Sequence, residues 1–364
     1  MAAAAGDIPD PITSGPGDGR KTGRQGNSPL GKGVQGFGLA GTAPPPPTFD
    51  PIAEADAALR FYREHGFVVV SSLSVDEVAG LNAVADGFHA ERGPEIDVPG
   101  QGQLFFPLLN YPEFDLTWAH PSTLPLVGRI LGGAGNARHV EFNYRAWQPI
   151  TSDYGMSFHP DDCSGGLLTL DQRRQRRPYG PPDMVMHFTY LSDVDTTTPS
   201  FAVVPKSRRT HNLPALKEAL GEEYAEIPIL GKAGTCCICD RALVHTRLDP
   251  LERDQSKQRP RRIIHHVFAR AGELKNADGS LRTGNGQPLE VTDWAYSRGL
   301  IPKRLALSSD PDVRALFSAW PSHQRDWVAT GFADDFVSDP KSARGPTRGP
   351  YRNPGGSYNS EGDR

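Results

Sequence analysis

A mainly β chain with flanking helices (α+β) is expected here, its core an antiparallel sandwich or jelly roll. Three observations point that way. From about residue 137 the chain becomes a series of short apolar or alternating runs, RHVEFNYRAW, MVMHFTYL, SFAVVP, AGTCCICD and RRIIHHVFAR, separated by Gly, Pro, Asp and Thr. Short strands in succession suit packed antiparallel sheets. Ahead of residue 100, and again near residue 310, apolar residues recur at helical spacing. The two ends differ from both: residues 1–48 are rich in Gly, Pro, Ala and Ser, and residues 336–364 share that character. Neither end can bury enough apolar surface to offset the entropy of ordering it. The expected organisation is therefore a disordered arm or targeting extension over 1–48, one domain over 49–335, and a flexible tail over 336–364.

The domain opens with EADAALRFYREHG, a helix closed by Gly66, and continues into FVVVSSL, a β-branched run that suits a buried strand. In SVDEVAGLNAVADGF, Ser74 and Glu77 form a capping box and Leu73 can staple Val78. Val78, Leu81, Val84 and Phe88 follow at helical spacing. The five strand-like runs come next. After them, SSDPDVRALFSAW places Asp310 at a helix cap and Pro311 at the first helical position.

Bulk properties narrow the function. At 364 residues the chain can bury a core without disulfide or metal staples. A formal charge of −4 gives no reason to expect nucleic acid or an anionic membrane as partner. No apolar run approaches the roughly 18 residues of a membrane span. The opening MAAAAGDIPDP has neither a basic nor a long apolar region. A soluble, cytoplasmic protein is the expectation. Cys236, Cys237 and Cys239 crowd into GTCCICD without a distant second pair, which reads as buried strand thiols rather than a zinc site or a disulfide framework.

The chemistry concentrates in SFHPDDCSGG. His159 and Asp161 are two apart, so on a strand they point to one side and can converge on one ion, with Pro160 stiffening the turn between them. Such a triplet is common, and a metal clamp needs a third ligand. Two histidines and one carboxylate on one face of ferrous iron would leave positions open for a bidentate cosubstrate and dioxygen. Downstream lie CDRALVHTRL, with His245 just past a strand and turn, and RPRRIIHHVF, where arginines enter another strand. A histidine and an arginine on neighbouring strands suit a metal plus a dicarboxylate, because guanidinium grips a carboxylate in a fixed fork.

These segments together resemble the phytanoyl-CoA dioxygenase family of iron(II)- and 2-oxoglutarate-dependent oxygenases. FYREHGFVVVSSLSVDEVAGLNA resembles the family's first helix, strand and second helix, and FHPDD its HxD strand. YLSDVDTTTPSFAVVPKSRRTHN and GTCCICDRALVHTRLDPLERDQSKQRPRRIIHHVFA resemble the segments that follow, over most of residues 55 to 270. The resemblance implies a double-stranded β-helix (jelly roll, cupin-like) and a hydroxylase using Fe(II), 2-oxoglutarate and O2. It implies His159, Asp161 and His245 as iron ligands, Arg261 as partner of the far cosubstrate carboxylate, and Phe188 as an aromatic wall beside it. The chain departs from the family at Thr197–Pro199, at Pro205–Arg208 where the family has PGSH, and at Arg247, where some members carry a serine.

Other polar residues have plainer readings beside functional ones. His187 sits in an apolar strand and reads as a core residue. His265 shares the parity of Arg261 and could touch a substrate, whereas His266 points the other way; Asn143 and Arg145 could line the barrel. DQRRQRRPYG, residues 171–180, is a solvated charged loop or a site for an anionic small-molecule substrate. A second class stays open: a jelly-roll regulatory binder, or a cupin-like isomerase that uses the same ligands without redox chemistry. An isomerase has no use for an arginine that grips a dicarboxylate. Oligomeric state and substrate identity are not legible.

Overall fold

The computed structural model describes residues 45–92, 97–98, 102–104, 111–133, 135–147, 158–161, 181–207, 213–270, 305 and 308–316. The arm up to residue 44, the tail and the arginine-rich segment 171–180 lie outside the described residues.

The chain enters through β1 (Thr48–Phe49) and α1 (Ala55–His65), which buries Ala58, Leu59 and Tyr62. Gly66 ends the helix at φ 83°, a torsion that costs glycine nothing, and its N–H donates to the Tyr62 carbonyl at 2.7 Å. β2 (Phe67–Ser71) follows, then α2 (Val75–Arg92). The α2 start is a reciprocal capping box: Ser74 N–H donates to Glu77 Oε2 at 2.7 Å, and Glu77 N–H to Ser74 Oγ at 3.3 Å. Val78, Leu81, Ala85 and Phe88 form its buried stripe.

Two short strands come next, β3 (Asp97–Val98) and β4 (Gly102–Leu104), followed by α3 (Leu124–Ile130). The core strands are β5 (Ala137–Trp147), β6 (Met184–Tyr190) and β7 (Ser200–Val203), then, after α4 (Leu213–Leu220), β8 (Ile227–Ile229), β9 (Thr235–Asp240), β10 (His245–Leu248) and β11 (Arg261–Arg270). The closing helix α5 (Pro311–Leu316) is capped by Asp310, whose Oδ1 accepts from Asp312 N–H at 2.8 Å. Among the described residues no helix is long and apolar enough to cross a membrane.

Hydrogen bonding sorts the strands into two sheets. The eight-stranded sheet runs β1-β2-β9-β6-β11-β5-β4-β3, and the three-stranded sheet runs β10-β7-β8. His159 pairs antiparallel with His245 and so adds a further rung beside β10. From β5 on, the chain crosses between the sheets and returns, which is the winding of a double-stranded β-helix, or jelly roll. All pairings in the large sheet are antiparallel except β1 with β2. Thr48, placed at the end of the arm by composition, is already paired with Val69.

Strand alternation assigns the two faces of the large sheet. Val68, Val70, Cys236, Ile238, Phe142, Tyr144, Ile264 and Phe268 pack with α1, α2 and α3 on one side. Phe67, Val69, Cys237, Cys239, Met184, Met186, Phe188, Tyr190, Ile263 and Val267 turn inward, against Phe201, Val203 and Ile229 of the small sheet. The inward face is the floor of the barrel. Cys236, Cys237 and Cys239 are buried and free, as strand thiols. Phe158, Ala202, Val204 and Val244 face the other side of the small sheet, where Leu216 of α4 covers them.

Candidate metal centre

Backbone hydrogen bonds fix where the HPD segment lies. His159 N–H donates to the His245 carbonyl and His245 N–H to the His159 carbonyl, both at 2.9 Å, the reciprocal pair of an antiparallel ladder. Asp161 N–H donates to the Arg241 carbonyl at 3.1 Å. Proline, with no N–H, occupies the intervening position at no loss to the ladder. The segment is thus pinned across the corner between β9 and β10, and residues 159 and 161 turn the same way.

The structure brings His159, Asp161 and His245 together, with one ligand atom from each lying within 4.8 Å of the others. The Asp161 carboxylate sits between the imidazoles: Oδ1 is 3.5 Å from His159 Nε2, and Oδ2 is 3.5 Å from His245 Nε2. Ligands about 2.1 Å from a metal at right angles stand about 3 Å apart, so this spacing fits one ion after a small contraction. His245 Nδ1 lies 2.8 Å from the Leu243 carbonyl. A carbonyl only accepts, so Nδ1 carries the proton and Nε2 presents its lone pair to the site. Burial raises the Asp161 carboxyl, but the His245 and His159 imidazoles outweigh it and hold it well below the usual carboxylate range. The donor set, two imidazoles and one carboxylate on a shared face, fits ferrous iron with positions left open.

A serine that sequence reading passed over sets the height of His245. Ser207 Oγ accepts from Val244 N–H at 2.9 Å and donates to the Val204 carbonyl at 2.5 Å, so it straps β10 to the end of β7 one residue before the ligand. Its sequence signal was the PKS of Pro205–Ser207, noted only as a departure from the family pattern. Lys206, between them, has φ 62°, and it is the only non-glycine with positive φ among the described residues.

Arg261 lies on the inward face of β11, 2 % exposed. Burial pulls its pKa down to about 10, with the Arg247 and Arg145 charges acting the same way and the Tyr190 phenol opposing them. Arg262 turns outward, to Asp86 at 2.6 Å and to Asn82 Oδ1 at 3.3 Å. Phe188 stacks on His265 with centroids 4.2 Å apart and planes within 6°. It also meets Phe201 at 4.3 Å, and Phe201 lies 5.4 Å from the His245 ring. An aromatic wall therefore runs from β11 across both sheets to His245.

The other candidates separate by face. His265 is buried inward, and burial, followed by the Arg145 charge, holds it well below the usual imidazole range. Arg145 pairs across the ladder with Ile263. His187 and His266 face the helices; His266 is hydrogen-bond distance from His139 and from Thr117 Oγ1, each at 3.0 Å. Arg259 is tied to Asp195 and to Thr197 Oγ1 in the loop before β7. The Asn143 side chain lies outside the described residues.

No family model and no curated protein matches the chain. Solved structures do match. One is the non-heme α-ketoglutarate-dependent carbocyclase SnoK from nogalamycin biosynthesis, at 18% identity and TM-score 0.45, over 66% of this chain and 96% of that one. In fold, the chain resembles non-heme α-ketoglutarate-dependent enzymes. The α-ketoglutarate-dependent epimerase SnoN, also from nogalamycin biosynthesis, matches at 19% identity and TM-score 0.43, over 66% of this chain and 96% of that one. The non-heme monooxygenase ThoJ, as its nickel complex, matches at 18% identity and TM-score 0.40, over 58% and 76%.

Proposed function

We propose that the chain is an Fe(II)- and 2-oxoglutarate-dependent oxygenase acting on a small molecule, with hydroxylation of an unactivated C–H bond as its simplest outcome. One observation carries the reading: a His159–Asp161–His245 ligand set and a buried inward-facing Arg261 share one barrel interior. A non-redox isomerase needs the ligands and has no use for an arginine that grips a dicarboxylate. When bound, iron with 2-oxoglutarate and O2 supplies C–H oxidation, one oxygen atom going to the substrate and the other to succinate, with release of CO2.

The chain's own residues bind, orient and exclude water. His245 is held by the Leu243 carbonyl and the Ser207 strap, so its Nε2 needs no reorganisation to coordinate. Asp161 and His159 complete the face from the more open side, their side chains 33% and 29% exposed. Arg261 presents a desolvated guanidinium to the far carboxylate of the cosubstrate, where low dielectric strengthens the pairing. Phe188 and His265 form the apolar flank along which its carbon chain would lie.

The test is anaerobic titration of the protein with ferrous iron and then 2-oxoglutarate, following the weak visible charge-transfer band of the chelate. The wild type is expected to show the band and to form succinate when air is admitted; Asp161→Ala and His245→Ala are expected to lose both while keeping the wild-type circular dichroism. A wild-type protein without the band overturns the reading, and turnover in either variant removes that residue from the ligand set.

A further inference from the structure

Among the described residues the barrel carries two buried guanidinium groups, Arg247 and Arg261, where the far carboxylate of a 2-oxo diacid needs one. Arg247 follows His245 by two residues on β10, so it shares the inward face of the metal ligand, and it pairs with Phe201 of the aromatic wall. Its side chain is 3% exposed, and its charge is felt at Arg261. Two like charges held in a dry interior repel strongly unless an anion is shared between them. The chain supplies an anion to one of them, Arg247. Asp249, just past the end of β10, places Oδ1 3.1 Å from Arg247 Nη2, with a carboxylate that is 46% exposed.

That pair joins a buried cation to a carboxylate in contact with solvent. Burial raises the Asp249 carboxyl above its ordinary value in spite of the arginine beside it. The Asp249 side chain already borders solvent, so on leaving Arg247 the carboxylate can be taken up by water. A counter-ion in that position gains from returning to water as soon as another anion takes its place.

We propose that Asp249 is a displaceable stand-in for the far carboxylate of the cosubstrate: on binding, Arg247 leaves Asp249 and joins Arg261 on the incoming dicarboxylate. The exchange rests on the reading given under Proposed function. It makes Asp249 an internal competitor, so that removing its charge strengthens cosubstrate binding although the residue is outside the grip itself. A merely structural Arg247–Asp249 ion pair has the opposite signature, because its loss would loosen the site.

The experiment uses the full chain loaded anaerobically with Fe(II), in wild type, Asp249→Asn, Arg247→Ser and the double variant. The 2-oxoglutarate Kd is read from the charge-transfer band and, independently, from the rise in melting temperature that 2-oxoglutarate causes in the Ni(II)-loaded protein. Asp249→Asn is expected to tighten binding about three- to tenfold and Arg247→Ser to weaken it about tenfold or more, as for gaining or losing one charged contact. In the Arg247→Ser background, Asp249→Asn is expected to change Kd by less than about twofold, because the two residues act through each other. Pyruvate, which has the 2-oxo acid head and no far carboxylate, is expected to bind wild type and Asp249→Asn alike. Unchanged or weaker 2-oxoglutarate binding in Asp249→Asn overturns the inference, as does an equal gain in the absence of Arg247. If Arg247→Ser does not fold, Asp249→Asn and the pyruvate comparison still decide. A wild type that binds no 2-oxoglutarate fails the functional reading itself, whereas a wild type that binds while the variants match it fails the exchange alone.

Discussion

Gly234 ties three strands together at a point where no side chain fits. Its N–H donates to the Tyr190 carbonyl at 2.8 Å, and its carbonyl accepts from Ser72 N–H at 2.8 Å and Leu73 N–H at 3.2 Å. With φ at 91°, a Cβ on this residue would stand 2.2 Å from the Leu73 carbonyl oxygen. Gly234→Ala is expected to cost about 2–4 kcal/mol, read as a lower urea midpoint, since both torsion and contact oppose it. Lys206 supplies the contrast. It holds φ at 62° with a side chain present, at a position where the resembled family has glycine. Its ammonium reaches Glu223 at 3.1 Å from a half-exposed position, a contact worth at most about 1 kcal/mol. Relief of the left-handed torsion is worth about 1–2 kcal/mol, offset by the looser unfolded chain of glycine. Lys206→Gly is therefore expected to raise the midpoint slightly or leave it unchanged. A loss as large as that of Gly234→Ala would show that the lysine side chain, rather than the torsion, matters there.

Along β11 the two-residue period separates the barrel interior from the helix-packed face. Arg261, Ile263 and His265 turn inward while Arg262, Ile264 and His266 pack toward the helices. Arg261→Leu is expected to weaken 2-oxoglutarate binding by about 2–5 kcal/mol, or about 30- to several-thousand-fold, and Arg262→Leu to change it far less. Anaerobic titration of both variants, each checked for folding, decides this; a large loss in Arg262→Leu alone would place the wrong arginine in the site. That alternation was legible in RRIIHHVFAR, as were the Ser74–Glu77 box and the Gly66 stop, because each depends only on residues close in sequence. What could not be read depends on partners distant in sequence. β1 is a two-residue strand that exists through its pairing with β2. In β5 the register shifts opposite Val267 and Phe268, so that Phe142 and Ala137 face the same helices although their parity differs. Ser207 reads as a loop serine until Val244 is brought beside it. Arg259, two residues before Arg261 and of the same parity, is held by Asp195 outside the strand, which only the fold shows.

The whole molecule sets the candidate metal ligands on the barrel side of the large sheet and a group of buried imidazoles on the helix side, and the second arrangement limits its range of pH. His187 is buried and its pKa falls to about 4, with desolvation the chief cause and His120 adding to it. Its ring is 3.4 Å from Thr189 Oγ1 and 6.0 Å between centroids from His266. His266 is also held well below its ordinary value, by burial first and then by His139, His187 and His265. An unfolded chain protonates these rings near pH 6.5, and the folded chain does so only far lower. The unfolded state therefore binds more protons throughout that window, so stability falls as pH drops from about 6.5 toward 4 and is unaffected by these groups above it. For His187 this amounts to a loss of about 2 kcal/mol by pH 5 and about 3 kcal/mol by pH 4, and His266 acts in the same direction. Asp161 acts in a separate window. Its folded pKa is depressed, so its contribution persists through pH 5 and is lost only as pH falls below the usual carboxylate range. Acid also releases a metal held by imidazole, so the measurement belongs on metal-free protein. Urea midpoints at pH 7.5, 6 and 5 are expected to fall steadily in wild type and less steeply in His187→Leu, which lacks one of the buried rings. If His187→Leu keeps the full wild-type dependence, the proton uptake that destabilises this fold in mild acid belongs to His266, whose ring lies 3.0 Å from that of His139 beneath Trp118.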